Sequence, residues 1–257
     1  MWGAIIGDLA GSIYEYSQIK TISNIKINKL IEENSFYSDD TILTIAILDA
    51  ILNDLNYEKY LRKYALEYSD YKPNFNPYFK STFSSGFTKW AKSDEIGNSK
   101  CNGAMMRISA VGYLFNNEEE VIKNVLAATI PSHNSEEAIN SATIIAMVIF
   151  LARKGLTKIE IVNKLKLTFS YDPFTKFNST CSETISNCLY ALFKSDSYEE
   201  AIIKVISYGG DTDTNACIVG SMAEALYGLD KKLILEASAK IPEAFVRKLE
   251  MGYAKIK

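Results

Sequence analysis

The chain has 257 residues, 47% of them hydrophobic and 23% charged, and a formal net charge of −3. This length and balance suit one globular domain with a large core, and the lack of a basic excess or polybasic run argues against binding nucleic acid or a membrane surface through charge. Four scattered cysteines, Cys101, Cys181, Cys188 and Cys217, are too few for a disulfide scaffold or a thiolate zinc site, and the one histidine, His133, excludes a histidine-rich site.

Apolar residues recur mainly at helical spacing, with few alternating runs of strand type. The pattern predicts helices over 2–16, 40–54, 57–69, 77–92, 103–115, 118–129, 135–153, 157–168, 178–193, 197–206, 214–227, 231–238 and 242–253. The expected architecture is therefore a single all-α domain over 1–257, and a monomer is the default. The start of the chain has no positive region, and Asp8 interrupts its apolar stretch, which argues against a signal peptide. With no run of about 18 apolar residues for a membrane span, a reduced, cytoplasmic protein is expected.

Gly3, Gly7 and Gly11 fall every fourth residue along the first predicted helix, a stripe that lets another backbone approach closely. Asp8 and Glu15 share one face of that helix among Gly, Ala, Ile and Tyr, an awkward place for acids without a partner. Glu15 reads equally as a site acid at the helix end or as a solvated one. Residues 17–37 form a polar, helix-poor connection of the kind that often carries function. Then Tyr37-Ser38-Asp39-Asp40-Thr41 runs directly into the apolar segment 42–52. Residues 70–77 and 169–178 are turn-rich breaks. Tyr78, Phe79, Phe83, Phe87 and Trp90 are spaced as a core-facing helical set that could also line a ligand pocket.

A short loop from Gly97 to Gly103 feeds the next helix, with Arg107 soon after its start; there a salt bridge to the acidic site and substrate contact are equally open. His133 stands alone before a predicted helix, where a cap or surface role is the simplest reading. Cys181 and Cys188 lie two turns apart on one helix and read as buried free thiols. Finally Gly209-Gly210-Asp211-Thr212-Asp213-Thr214 runs into the apolar segment 216–227. Segments 42–52 and 216–227 are apolar nearly all round, as expected of helices at the centre of a bundle.

The two acid clusters carry the same chemistry in the same setting. Mg²⁺ and Mn²⁺ take carboxylate, hydroxyl and water oxygens, which Ser38, Asp39, Asp40, Asp211, Asp213 and Thr214 could supply. Helix N-termini tolerate and orient carboxylates. Asp, Ser and Thr are also the preferred N-cap residues, so either cluster alone reads first as a cap. Two clusters, each with a double carboxylate, point instead to two halves of one metal site.

At these residues the chain resembles the ADP-ribosylglycohydrolase family, from the N-terminus to about residue 230. Gly7-Asp8-Leu9-Ala10-Gly11-Ser12-Ile13-Tyr14-Glu15 looks like the family's opening helix, Ser38-Asp39-Asp40-Thr41 like its first metal motif (usually Thr-Asp-Asp-Thr), and Gly209 to Thr214 like its second (usually Gly-Gly-Asp-Ser-Asp-Thr). The resemblance implies a compact all-α domain of orthogonally packed helices with two Mg²⁺ or Mn²⁺ ions, and hydrolysis of the N- or O-glycosidic bond joining ADP-ribose to an acceptor. It implies Ser38, Asp39, Asp40, Asp211, Asp213 and Thr214 as metal ligands and Glu15, Asp40 and Asp213 as catalytic residues. Asn98-Ser99-Lys100-Cys101-Asn102-Gly103-Ala104-Met105-Met106-Arg107 is similar to a substrate loop that often reads Gly-Ser-Tyr-Gly-Asn-Gly-Xaa-Ala-Met-Arg, whose amides could cradle a diphosphate. Lys100 replaces the usual tyrosine and Cys101 the glycine. His133 aligns with a family histidine near the ribose or diphosphate, so the resemblance places Asn98, Ser99, Lys100, Cys101, Asn102, Gly103 and His133 against ADP-ribose or an ADP-ribosylated acceptor. Two rivals stay open: a metal-dependent phosphohydrolase acting on a nucleotide, and a non-catalytic ADP-ribose-binding or immunity protein on the same scaffold.

Overall fold

The structure is a computed structural model and describes residues 1–15, 27–73, 81–172, 174 and 177–256. The helices run in the order α1 (Trp2–Glu15), α2 (Asp39–Leu52), α3 (Tyr57–Glu67), α4 (Ser85–Ala91), α5 (Gly103–Met106), α6 (Ser109–Leu114), α7 (Glu118–His133), α8 (Glu136–Arg153), α9 (Lys158–Leu165), α10 (Cys181–Phe193), α11 (Tyr198–Ser207), α12 (Thr212–Tyr227), α13 (Lys231–Ser238) and α14 (Glu243–Tyr253). Among the described residues the extended pairings are two isolated bridges, Asn98 with His133 and Cys101 with Thr180. The fold is all-α, as the helical periodicity implies.

Most helices begin where a side chain satisfies their exposed amides. Ser38, Asn56, Ser84, Asn117, Ser135 and Ser197 each accept a backbone N–H at the start of their helix. Thr157 with Glu160 and Thr180 with Glu183 form reciprocal capping boxes. The two segments that are apolar all round occupy the centre: α2 is buried from Asp40 to Ala50 and α12 from Thr212 to Ala223.

The glycine stripe packs α1 directly onto α12. A Cβ at Gly7 would lie 2.0 Å from the Ala216 carbonyl oxygen, and one at Gly3 or Gly11 would lie 2.2 Å from those of Gly220 and Thr212. The contact is backbone on backbone, so no side-chain rotation relieves it. This seam sets the distance between the acids of α1 and those at the start of α12. Gly7→Ala is expected to cost about 3 kcal/mol or more, lowering Tm by roughly 6 to 12 °C. Gly86→Ala, with open space around it, serves as the neutral control in thermal denaturation; equal Tm values for the two variants would contradict the seam.

The structure corrects three predicted boundaries. Helix 77–92 begins only at Ser85, because Ser84 caps it; of the predicted start, 77–80 with Tyr78 and Phe79 lie outside the described residues, as do residue 16 of the first predicted helix, 17–26 of the long connection, 74–77 of the first turn-rich break and 173, 175 and 176 of the second. The predicted helix 103–115 is broken between Met106 and Ser109, where Arg107 turns inward and becomes 1% exposed. The predicted helix 118–129 continues through Pro131 to His133. A proline so close to the helix end removes one hydrogen bond, and its carbonyl accepts from Gly97 N at 2.8 Å. Cys181 and Cys188 are buried free thiols, as expected.

Candidate metal centre

The site is assembled from the first helix outward. Asp8 is fully buried, and its carboxylate accepts from Ser38 N at 2.9 Å, Ser38 Oγ at 2.8 Å, Thr41 N at 3.1 Å and Thr41 Oγ1 at 2.5 Å. It thereby fixes the turn that opens α2. The sequence reading gives Asp8 no ligand role. The signal was an acid set among glycine and isoleucine, but the amides that satisfy it belong to a distant turn.

That turn presents Asp40. Its Oδ2 lies 3.1 Å from Ser38 Oγ and 3.1 Å from Thr214 Oγ1, while its Oδ1 is buried and accepts no hydrogen bond among the described residues. Ser38 also caps α2 by accepting from Asp40 N at 3.2 Å, so the capping and site readings of this cluster hold together. The single hydroxyl proton of Ser38 cannot serve the carboxylates of both Asp8 and Asp40.

The second turn is different. Gly209 and Gly210 both have positive φ, and a Cβ on Gly210 would meet Asn178 Oδ1 at 2.1 Å. That same Asn178 Oδ1 accepts from Asp211 N at 2.9 Å. Asp211 occupies the N-cap of α12 yet makes no side-chain capping bond. Instead its Oδ2 accepts from Asn102 Nδ2 at 2.7 Å, so capping does not explain this carboxylate. Asp213 accepts from Thr214 N at 2.8 Å, and Thr212 Oγ1 donates to Gly11 O at 2.8 Å, tying the turn to α1.

These elements converge on two groups of three carboxylates. Asp8, Asp40 and Asp213 each offer an oxygen within 4.8 Å of the others, and so do Glu15, Asp211 and Asp213. Asp213 belongs to both. Burial together with the Asp213 charge pushes Asp8 up to about 7, and burial pushes Asp211 up to about 6 despite the bond from Asn102. Asp39, Asp40 and Asp213 are driven well above the usual carboxylate range, by burial first and by their acidic neighbours second. So many buried acids require protons or cations. The bare Asp40 Oδ1, the hard-oxygen donor set and a span near twice a metal–oxygen distance of about 2.0 to 2.6 Å all fit divalent cations.

Above the acids lies a cavity of about 760 Å³, within the range of sites for nucleotide-sized ligands. Glu15, Asp39, Asp211, Asp213 and Thr214 line one end of it, whereas Ser38 and Asp40 lie buried outside the lining. Phe83, Phe87, Trp90 and Phe177 provide aromatic surface; of the predicted set, Phe87 and Trp90 on α4 and Phe83 just ahead of it serve core and cavity at once. Asn98, Ser99, Cys101, Asn102, Gly103 and His133 also line it. Lys100 is exposed and not part of the lining.

The loop differs from a free amide cradle. The amides of Gly97, Ser99, Cys101 and Asn102 donate to Pro131 O, Ser132 O, Ser99 Oγ and Ser179 O, which holds the loop rigid. Asn102 directs its side chain to Asp211, making it an orienting partner of an acid as well as a wall residue. Arg107 makes no ion pair with a carboxylate among the described residues; it points to Ala128 O, Ser132 and His133.

Residues 1–256 match the family model described as ADP-ribosylglycohydrolase. The chain is 26% identical over 282 aligned residues to a protein of Acanthamoeba polyphaga mimivirus provisionally named an ADP-ribosyl glycohydrolase, covering 88% of this chain and 84% of that one. It is 29% identical over 84 residues to the ADP-ribosyl-[dinitrogen reductase] glycohydrolase of Rhodospirillum rubrum, a match to 32% of this chain and 26% of that one. A solved structure described as an ADP-ribosylglycohydrolase-related protein complex superposes with a TM-score of 0.69 at 18% identity, over 98% of this chain and 93% of that one, and so shares the fold. The match over essentially the whole length, on the all-α fold that carries these acid turns, establishes that the chain belongs to the ADP-ribosylglycohydrolase family.

Proposed function

We propose that this chain is a metal-dependent hydrolase that cleaves the N- or O-glycosidic bond between ADP-ribose and an acceptor, either a protein side chain or a small conjugate. Family membership supports ADP-ribosyl glycohydrolase activity. The observation that carries the metal-dependent reading is the pair of carboxylate groups sharing Asp213, of which Glu15, Asp211 and Asp213 line a cavity of about 760 Å³ while Asp8 and Asp40 lie buried behind them. Two Mg²⁺ or Mn²⁺ ions would be held by Ser38, Asp39, Asp40, Asp211, Asp213 and Thr214, with Asp8 and Glu15 completing the two groups.

When bound, such cations supply Lewis-acid stabilisation and a fixed anchor for the ribose hydroxyls. Asp8 holds the first turn in place through its four accepted hydrogen bonds, and Asn102 and Asn178 hold Asp211 and its amide. Glu15, partly exposed at the end of α1 and facing the cavity, takes a proton from the attacking water as its oxygen bonds to the anomeric carbon. The bond to the acceptor breaks, and the leaving atom is protonated from Glu15 or solvent. The aromatic surface of Phe83, Phe87 and Trp90 offers apolar contact for the base.

Product analysis tests this against the phosphohydrolase alternative. Incubation with ADP-ribosylated arginine and serine peptides in Mg²⁺ or Mn²⁺ is expected to release intact ADP-ribose from at least one of them. Release of AMP or phosphate would assign the site to phosphoryl transfer instead.

A further inference from the structure

Arg107 is the largest fully buried side chain among the described residues, 1% exposed, and burial pulls its guanidinium down to about 9. Among the described residues its Nε and Nη1 have no hydrogen-bond partner. A buried cation without a carboxylate is costly, so its remaining contacts indicate its purpose. The guanidinium lies over the Phe87 ring at 5.9 Å, and Nη2 donates to Ala128 O at 3.3 Å and to Ser132 Oγ at 2.7 Å and lies 3.5 Å from His133 Nδ1, while Ser132 Oγ lies 2.8 Å from the same Nδ1.

A guanidinium has only donors. Ser132 Oγ therefore accepts from Arg107 and has its own proton left to donate to Nδ1. An Nδ1–H facing the guanidinium would set donor against donor, so Nδ1 is the acceptor and the ring proton resides on Nε2. His133 is 4% exposed and lines the cavity, and among the described residues Nε2 makes no hydrogen bond. Gly103 lies against that edge of the ring: even an added Cβ there would stay 3.6 Å from Nε2. Among the described residues Arg107 is the charged group acting on the ring, and it joins burial in holding the imidazole neutral.

We infer that Arg107, acting through Ser132, is a positioning residue that locks His133 as a neutral imidazole with Nε2–H donating into the cavity, to an oxygen of the bound ADP-ribose. This rests on the substrate reading above for the identity of the ligand, but the state of the ring does not. The chain has one histidine, so two-bond ¹H–¹⁵N correlation spectra of ¹⁵N-labelled protein report His133 alone. The expected result is a neutral Nε2–H pattern from pH 6 to 8. Arg107→Met should release it, populating the Nδ1–H form or the imidazolium and weakening ADP-ribose binding about tenfold. Arg107→Lys, which keeps a buried donor and charge, should hold the wild-type pattern better than Met. If Arg107→Met does not fold, Ser132→Ala decides, with a perturbed ring pattern and a similar loss of affinity expected against Ser132→Thr, which retains the hydroxyl. An Nδ1–H or imidazolium wild-type ring overturns the inference. So does a folded Arg107→Met with an unchanged pattern, or an unchanged pattern and affinity in Ser132→Ala. A wild-type ring in the expected state without any ADP-ribose binding would support the relay and overturn the substrate reading instead.

Discussion

Asp213→Asn should lower turnover about a thousandfold or more while leaving the protein folded. Asp213 is the one residue common to both carboxylate groups, so removing its charge weakens both proposed cation positions together. A metal centre contributes several kcal/mol of transition-state stabilisation, and each 1.4 kcal/mol is about tenfold in rate. The substitution preserves shape, and the side chain can still accept from Thr214 N, as Asp213 does at 2.8 Å. The replaced group is one whose charge is opposed by burial and by Asp211, so metal-free stability should hold or rise. Steady-state rates at saturating Mn²⁺, with circular dichroism as the check on folding, measure this. Wild-type turnover in a folded Asp213→Asn would remove the shared centre from the mechanism.

The second large effect is a pH-dependent stabilisation by metal. Asp8 at about 7 and Asp211 at about 6 have folded-state values above the unfolded value of about 3.8. Asp39, Asp40 and Asp213 are displaced in the same direction. For an acid with a raised folded value, the native state binds more protons than the unfolded one. Stability then falls as pH rises; this contribution is fully present below about pH 4 and lost through pH 6 to 7. Each unit of displacement corresponds to about 1.4 kcal/mol, so in EDTA the cluster destabilises the native state by several kcal/mol at pH 8. Cations replace the protons. Their stabilisation should therefore be small at pH 5 and large at pH 8, where about 3 kcal/mol corresponds to roughly 6 to 12 °C in Tm. Asp213→Asn should flatten that dependence. A metal-induced Tm shift of equal size at both pH values would mean that the cations bind elsewhere.

The two acid turns were legible because their chemistry is local in sequence: a double acid with a hydroxyl directly ahead of an apolar run is conspicuous wherever the chain takes it. The all-α fold was readable from the helical periodicity, and the repeat of Gly3, Gly7 and Gly11 announced a close backbone approach, though not that its partner is α12. What stayed hidden depends on pairs far apart in the chain. Asp8 finds its donors at Ser38 and Thr41, Asn102 finds Asp211, and Arg107 finds Ser132; no periodicity announces such partners. The predicted end of α7 at residue 129 falls short because a proline so near a helix end forfeits only one hydrogen bond, and the helix runs on to His133. The resemblance assigns the loop from Asn98 to Gly103 and His133 to one ligand, but the bridge between Asn98 and His133, the engaged amides and the outward Lys100 appear only in three dimensions.

Calorimetric titration of ADP-ribose into the protein, first in Mg²⁺ and then in EDTA, tests the central claim most directly. Binding that requires the cation, and that is lost in Asp213→Asn, is the result expected of a ligand held by the shared metal centre. Equal binding in EDTA would contradict the account, because ADP-ribose would then be recognised by the cavity walls without the acids of α1, α2 and α12.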